Sequence, residues 1–172
     1  DTSVSRGLGD VYKRQRSSDV EIIYPSPQGK LWNQDLAKKF SQTKKMIFIC
    51  GHYKGIDQRV IDKYVTNQFS VGDYVLTNGE LPSMMMLDSA LRLVPGVLNN
   101  IESALSDTFS LGLLDYPHYT QPRIIDDKEV PEVLVSGHHE KIESWRQSHR
   151  ESRTRDKRPD LWEKYKKKIK SE

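Results

Sequence analysis

The chain has 172 residues, of which 35% are hydrophobic and 30% are charged, and its formal net charge is +3. This length allows one or two small domains with a real core, and no apolar run approaches membrane-spanning length, so we expect a soluble protein without a signal peptide. The single cysteine, Cys50, excludes an intramolecular disulfide and is typical of the reducing cytoplasm.

The positive charge is concentrated at one end of the chain. Residues Trp145–Glu172 contain 11 Lys and Arg against 5 Asp and Glu, a local charge of +6, which leaves −3 for the remainder. This asymmetry predicts that a polyanion docks on the carboxyl-terminal region.

The amino-terminal third alternates short strand and helix patterns. Residues 1–18 are rich in Ser, Gly and Arg without periodicity, and we expect a disordered or non-native leader there. Val20–Tyr24 predicts a short strand, and Pro25–Gly29 predicts a loop. Trp32, Leu36 and Phe40 then recur four residues apart, which indicates one face of a helix.

Glycine-containing turns follow the next two predicted strands. Met46–Cys50 predicts a buried strand, the loop Gly51–Asp57 follows it, and a helix is expected from Asp57 to about Val65. Tyr74–Leu76 predicts a further strand that ends at the turn Thr77–Gly79. Such alternation indicates a parallel α/β sheet, with a ligand crevice at the carboxyl edge of its strands.

The turn at Gly79 leads directly into a predicted helix, with Pro82 in its first turn and Pro95 with Gly96 at its end. Its apolar residues recur at spacings of three and four: Leu81, Met84, Met85, Leu87, Leu91 and Val94. A helix start of this kind offers backbone N–H groups to a polar or anionic ligand, and an ordinary βα turn is the alternative interpretation.

The carboxyl-terminal third predicts two helices separated by Pro159. Basic side chains recur along the first of them beside Trp145: Arg146, Arg150, Arg153, Arg155 and Arg158. Arginine forks to phosphate and stacks on bases, so this pattern favours RNA binding, with a solvated charged helix as the alternative. The adjacent His138 and His139 have no Cys or acidic partner at ligand spacing, and we predict no structural metal site.

Several ordered motifs resemble those of the bacterial tRNA (guanine-N1-)-methyltransferases, which belong to the SPOUT class. The motifs are YPSPQG at 24–29, ICGHYKGID at 49–57, VGDYVL at 71–76, GELP at 79–82 and RLVPGVL at 92–98. The likeness extends from about Val20 to Leu161.

The resemblance implies S-adenosylmethionine as cofactor, held by three loops. The matching positions are Tyr24, Ser26, Pro27, Gly29, Gly51, Val71, Gly72, Asp73, Tyr74, Val75, Leu76, Asn78, Gly79 and Pro82. Asn78 stands where the family usually has glycine, and asparagine tolerates a left-handed conformation. Mg²⁺ is an open question, because Lys54 replaces the acidic residue that many relatives carry.

The resemblance also implies the catalytic residues and the partners. Asp107 matches the base that removes the guanine N1 proton, and Arg92 matches the residue that balances charge on the guanine. From the residues alone, Asp107 is a turn-forming linker residue and Arg92 lies on the polar face of a helix. The family builds each active site from two subunits, which implies a homodimer. The implied tRNA-facing residues are Ser103, Asp115, His118, Arg146 and Arg153.

The expected fold is therefore α/β: a SPOUT-type parallel sheet with a trefoil knot whose first part is missing, followed by a small, mainly helical domain. The boundaries are a knotted methyltransferase domain at 19–98, a linker at 99–112 and a tRNA-binding domain at 113–172. The family's first strand has no counterpart here, so we expect a truncated copy. The predicted activity is methylation of the guanine just 3′ of the tRNA anticodon. An inactive RNA-binding fragment and an unrelated nucleotide-binding α/β enzyme remain as alternatives.

Overall fold

The computed structural model describes residues 20–52, 54–98 and 107–170, which separate into two compact units divided at Ile101–Glu102. The expected leader at 1–18, most of the expected linker at 99–112 and Ser103 lie outside the described residues. The first unit is mixed α/β with a parallel sheet, as the sequence predicts.

The described residues of the first unit are built on a parallel sheet of three strands in the order β2-β1-β3. Along the chain its elements are β1 (Val20–Leu31), α1 (Gln34–Phe40), β2 (Lys45–Phe48), α2 (Gln58–Tyr64), β3 (Asn67–Ser70) and α3 (Glu80–Leu91). Since all three strands run the same way, their carboxyl ends meet at one edge of the sheet. Side-chain caps begin both short helices: Asn33 accepts a hydrogen bond from the Leu36 N–H, and Asp57 accepts one from the Arg59 N–H.

Strand β1 departs from the predicted strand and loop. It continues past Tyr24 to Leu31, but its pairing with β3 shifts between Pro25 and Lys30, both of which pair with Phe69. The predicted loop is thus an excursion within one strand. Trp32 lies before the start of α1 and not on the helix. Its indole N–H donates a hydrogen bond to Ser89 Oγ at 2.8 Å.

The predicted strand Tyr74–Leu76 is wrong. The third strand is Asn67–Ser70, and residues 71–79 form a loop in which the Val75 side chain is 85% exposed. The strand ends at Ser70 because its Oγ accepts a hydrogen bond from the Gly72 N–H and donates one to the Gly72 carbonyl. The φ of Gly72 is +148°, in the left-handed region that glycine adopts without strain. Short apolar runs have strand propensity, but this local turn overrides it.

The core of the first unit lies between α1, α3 and the sheet. Its most buried members are Ile23, Phe40, Phe69, Met86 and Ala90. The helix predicted from the apolar spacing is confirmed as α3, which buries Pro82, Ser83, Met86 and Ala90 against this core. The apolar residues whose spacing predicts the helix are largely exposed, at Leu81, Met84, Met85 and Leu91.

Within residues 107–170, the second unit contains a short hairpin and three helices. Strands β4 (Ile124–Ile125) and β5 (Lys128–Glu129) pair antiparallel, and α4 (Glu132–Val135), α5 (His139–Lys157) and α6 (Pro159–Ile169) follow. The two predicted helices and their separation by Pro159 are confirmed. Leu113 and Thr154 form the most buried part of this unit, where Thr154 Oγ1 accepts a hydrogen bond from the Leu114 N–H at 2.8 Å.

Candidate functional site

A cavity of about 530 Å³ lies at the carboxyl edge of the parallel sheet. Its walls come from the excursion in β1, the turn after β2 and the loop that joins β3 to α3. This size lies within the usual range of small-molecule pockets, roughly 300–1,000 Å³. The edge is where ligands bind in open parallel sheets, because loops from successive strands gather there.

Most residues that the sequence predicts for cofactor binding line this cavity. They are Tyr24, Ser26, Pro27, Gly51, Val71, Gly72, Tyr74, Val75, Leu76, Asn78, Gly79 and Pro82. Gly29 and Asp73 do not line it. Gly29 instead packs against β3: a Cβ at this position would lie 2.5 Å from the backbone of Gln68 and Phe69.

The turn after β2 and the start of α3 are held in direct backbone contact. The Gly79 N–H donates to the Gly51 carbonyl at 2.9 Å, and His52 forms an isolated antiparallel bridge with Asn78. A Cβ on Gly79 would lie 2.8 Å from Cys50 Cα and from Gly51 N, so only glycine allows this approach. Asn78 is not among the described residues with positive φ, so the tolerance of asparagine for that region is not needed.

Side chains reinforce the same junction. His52 Nε2 lies 2.9 Å from Glu80 Oε1, and Ser83 Oγ donates to the Gly79 carbonyl at 2.7 Å. Cys50 Sγ lies 3.4 Å from Ser83 Oγ, which assigns Cys50 to packing within this junction. These contacts fix the first turn of α3 beside the cavity.

The sequence prediction missed several lining residues. The additional residues are Pro25, Gln28, Lys54, Gly55, Ile56, Gln58, Ile61, Gln68, Phe69, Ser70 and Thr77. Some belong to the motifs quoted above, which is the signal that points to them, whereas Gln58 and Ile61 come from α2 and Gln68–Ser70 from β3. The residues from α2 and β3 reach the cavity through the tertiary arrangement of the sheet, which local sequence does not reveal.

One charged pair near the cavity has a clear electrostatic signature. The Arg59 guanidinium hydrogen bonds to Asp57 with an Nη2–Oδ2 distance of 2.6 Å, and this bond together with the Arg59 N–H lowers the pKa of Asp57 to about 2. Asp57 therefore remains a carboxylate at physiological pH and caps α2, which carries the cavity residues Gln58 and Ile61.

The two candidate catalytic residues belong to different units. Arg92 is half-buried at the carboxyl end of α3, where its N–H donates to the Asp88 carbonyl at 3.1 Å. Asp107 is half-buried in a turn of the second unit, where its Oδ1 accepts a hydrogen bond from the Thr108 N–H at 2.9 Å. Both residues are partly exposed to solvent.

The candidate tRNA-facing residues that the structure describes all lie in the second unit, three of them around one polar cluster. His118 Nε2 lies 2.9 Å from Asp115 Oδ2, and the Arg146 guanidinium lies 4.9 Å from the Tyr116 ring centroid. Arg153 lies half-buried on α5. Nearby, the Trp145 and His149 rings stack at 3.9 Å.

Arg150 corrects the interpretation of the arginine run. Its side chain is only 9% exposed and is paired with Glu143 and Asp115, so it does not belong to a solvated basic face. The sequence could not reveal this, because Asp115 is distant along the chain and the helical period alone does not distinguish a buried arginine from an exposed one.

Neither metal ligands nor membrane spans emerge from the described part of the chain. Within residues 20–52, 54–98 and 107–170, no three His, Cys, Asp or Glu side chains are grouped so as to hold a metal ion. In the same ranges, no helix has the length and apolar character needed to cross a bilayer.

Comparison with known proteins identifies the family. The profile of the family described as tRNA (Guanine-1)-methyltransferase TrmD matches residues 4–164. Similar curated proteins are named tRNA (guanine-N(1)-)-methyltransferase: one from Lachnospira eligens is 51% identical over 88% of this chain and 64% of its own length. One from Clostridioides difficile is 48% identical over 90% of this chain and 69% of its own. A third, from Ruminiclostridium cellulolyticum, is 50% identical over 84% and 62%.

The chain thus spans between 62% and 69% of the length of these relatives. The profile nevertheless covers most of its residues, including every loop around the cavity. The chain therefore belongs to the tRNA (guanine-1)-methyltransferase family.

Proposed function

We propose that the protein transfers a methyl group from S-adenosylmethionine to N1 of the guanine just 3′ of the tRNA anticodon. The observation that carries this proposal is the cavity itself, since the loops that carry the family motifs are the loops that enclose it. The membership of the chain in a tRNA methyltransferase family adds the substrate class.

The residues around the cavity fit the proposed cofactor. Three loops expose their backbone to the same cavity, because the glycines at 51 and 79 let the loops approach one another closely. The backbone N–H and C=O groups of these loops can form hydrogen bonds with an adenine and a ribose. Tyr24, Ile56 and Leu76 add apolar lining. When bound, S-adenosylmethionine supplies a methyl group activated by its sulfonium charge.

The chain's own contribution to the chemistry is proton removal and charge balance. Guanine N1 carries a proton, which must leave as the N1–methyl bond forms, and the carboxylate of Asp107 is the proposed acceptor. The negative charge that builds on guanine O6 is balanced by the guanidinium of Arg92. The guanine must also leave its stack to reach the site, so unstacking is part of the mechanism.

We further propose a homodimer in which Asp107 serves the cavity of the partner subunit. The exposed apolar side chains on α3 support this, because Leu81, Met84, Met85 and Leu91 form a face that a second copy would cover. The expected trefoil knot and the domain limits 19–98, 99–112 and 113–172 remain part of the proposal. So does cytoplasmic localisation, and a requirement for Mg²⁺ is left open by Lys54.

The proposed tRNA contacts come from the second unit, whose positive charge is concentrated in residues 145–172. Asp115, His118, Arg146 and Arg153 lie there, and Ser103 precedes them in the chain. The excess of arginine and lysine toward the chain end supports contact with phosphates.

A radiolabelled methyl-transfer assay on unmodified tRNA tests the proposal. We expect Asp107→Asn to lower turnover by about 10²–10⁴-fold, because the amide cannot accept the proton. S-adenosylmethionine affinity, measured by calorimetry, should stay within a factor of about two, since cofactor and base are separate groups. Loss of cofactor binding would show that Asp107 is structural, and tRNA binding without turnover in the unaltered chain would favour an RNA-binding fragment.

Mixing two inactive variants tests the shared active site. Gly79→Leu is expected to block the cavity, since its side chain collides with the Cys50 and Gly51 backbone. If Asp107 serves the partner, Asp107→Asn and Gly79→Leu chains that exchange subunits should recover about a quarter of wild-type activity, because half of the dimers then contain one intact site. No recovery in mixed dimers would place both groups in one subunit.

A further inference from the structure

Arg150 is a buried arginine of the second unit that contacts two carboxylates and an aromatic ring. Its Nη1 donates to Glu143 Oε1 at 3.0 Å, and its Nε lies 3.5 Å from Asp115 Oδ1. The guanidinium also lies 4.9 Å from the Tyr116 ring centroid. A group this enclosed does not reach an RNA phosphate directly, so its role must be exerted through the residues that it contacts.

Two of the residues that Arg150 contacts, Asp115 and Tyr116, belong to the segment that precedes the hairpin of this unit. Asp115 is 18% exposed, and its Oδ1 also accepts a hydrogen bond from the Tyr116 N–H at 2.8 Å. Its other oxygen holds His118 Nε2 at 2.9 Å, and the His118 side chain is 64% exposed. Arg146 lies over the same Tyr116 ring that Arg150 contacts.

The backbone of this segment is already secured without Arg150. Thr154 Oγ1 accepts the Leu114 N–H at 2.8 Å and donates to the Arg150 carbonyl at 2.6 Å. The Arg150 side chain is therefore not what attaches this segment to the helix. It adds contacts to the Asp115 carboxylate and to the Tyr116 ring. What it adds is the orientation of groups that face outward.

We infer that Arg150 is a positioning residue, which fixes Asp115 and Tyr116 and through them sets His118 and Arg146 in place before tRNA arrives. This inference rests on the proposed function, since it assumes that the second unit binds tRNA. Groups held in their binding geometry lose less conformational freedom on association, so affinity is gained without any contact from Arg150 itself. Lysine would not replace it in full, because the planar guanidinium offers donors in a fixed arrangement, whereas an ammonium is a compact point charge.

The test compares arginine variants of the full chain in binding to unmodified tRNA at several salt concentrations. Arg150→Met and Arg150→Lys are expected to weaken binding about tenfold, as breaking a charge-assisted contact would, while the slope of log Kd against log salt stays unchanged. Arg153→Met, which removes a proposed phosphate contact, should weaken binding and lower that slope by about one. Arg123→Met is the matched control, because Arg123 also pairs with a glutamate at 2.8 Å but is 55% exposed.

Each outcome has a defined meaning. Thermal melting checks that the variants are folded, and Arg150→Lys provides the measurement if Arg150→Met does not fold. Unchanged tRNA affinity in a folded Arg150→Lys variant overturns the inference alone. A loss of affinity with the slope change of Arg153→Met also overturns it, since that result means direct phosphate contact. Absence of tRNA binding by the unaltered chain overturns both the inference and the proposed function.

Discussion

Substituting Gly79 by alanine examines the central contact of the cavity, where the turn after β2 meets the start of α3. The φ and ψ of Gly79 are −84° and −8°, which alanine adopts without strain. Any effect must therefore come from the added methyl group. That methyl would lie 2.8 Å from two backbone atoms, several tenths of an ångström closer than the 3.4 Å at which ordinary contacts begin.

The magnitude follows from which atoms are struck. Cys50 Cα and Gly51 N belong to the backbone after β2, which cannot rotate away as a side chain would. Overpacking of this kind costs about 1–3 kcal/mol of unfolding free energy. Relief of the collision moves the Gly51 turn away from α3 and breaks the bond between Gly79 N–H and Gly51 carbonyl, so S-adenosylmethionine affinity should fall about tenfold.

Gly96→Ala is the control for this experiment. Gly96 has a φ of +84°, and a methyl group added there would meet no atom of the described residues within 4 Å. Alanine at this position therefore costs about 1–2 kcal/mol through backbone conformation alone. Urea unfolding and calorimetry with S-adenosylmethionine measure both quantities for each variant. If Gly79→Ala keeps wild-type stability and cofactor affinity, the proposed role of this close approach is refuted.

Two further predictions concern local interactions. Thr154→Val should lower the unfolding free energy by about 1–3 kcal/mol in urea titrations, because the Leu114 N–H loses its buried acceptor. Thr120→Val, at an exposed position, should have little effect. Equal changes in the two variants would contradict this prediction. The folded-state pKa of Asp57 is depressed to about 2, so its contribution to stability is present above the ordinary value of 3.8 and is lost as the pH falls toward 2. NMR titration of Arg59→Met should show the pKa of Asp57 rising only part of the way to 3.8, since the backbone bond to its cap remains; an unchanged pKa would rule out the side-chain cause.

The layout of the first unit is largely accessible from sequence because its signals are local. Strand runs followed by glycine turns predict where chain reversals gather, and the excursion in β1, the turn after β2 and the loop after β3 do surround one cavity. The third strand is the exception, because Tyr74–Leu76 has strand propensity while the Ser70 side chain and the left-handed Gly72 end the strand earlier. Such a side-chain turn competes with propensity and is not visible as a pattern.

The face of α3 shows a different limit of periodicity. Its sequence contains two sets of residues with helical spacing, and hydrophobicity favours burial of the set that contains Met84 and Met85. The core instead receives Met86 and Ala90, which fit closely against Phe40 and Phe69. Hydrophobicity identifies faces that avoid water, but it does not state whether the same chain or another molecule covers them.

The excursion in β1 means that the chain leaves the sheet and re-enters it opposite the same residue, Phe69. The residues on both sides of the excursion are therefore paired with β3. The alternation of side chains along the rest of the strand does not depend on which residues the excursion contains. Changes of residue or length between Ser26 and Gln28 can therefore reshape the ligand's surroundings while the underlying ladder keeps its alignment.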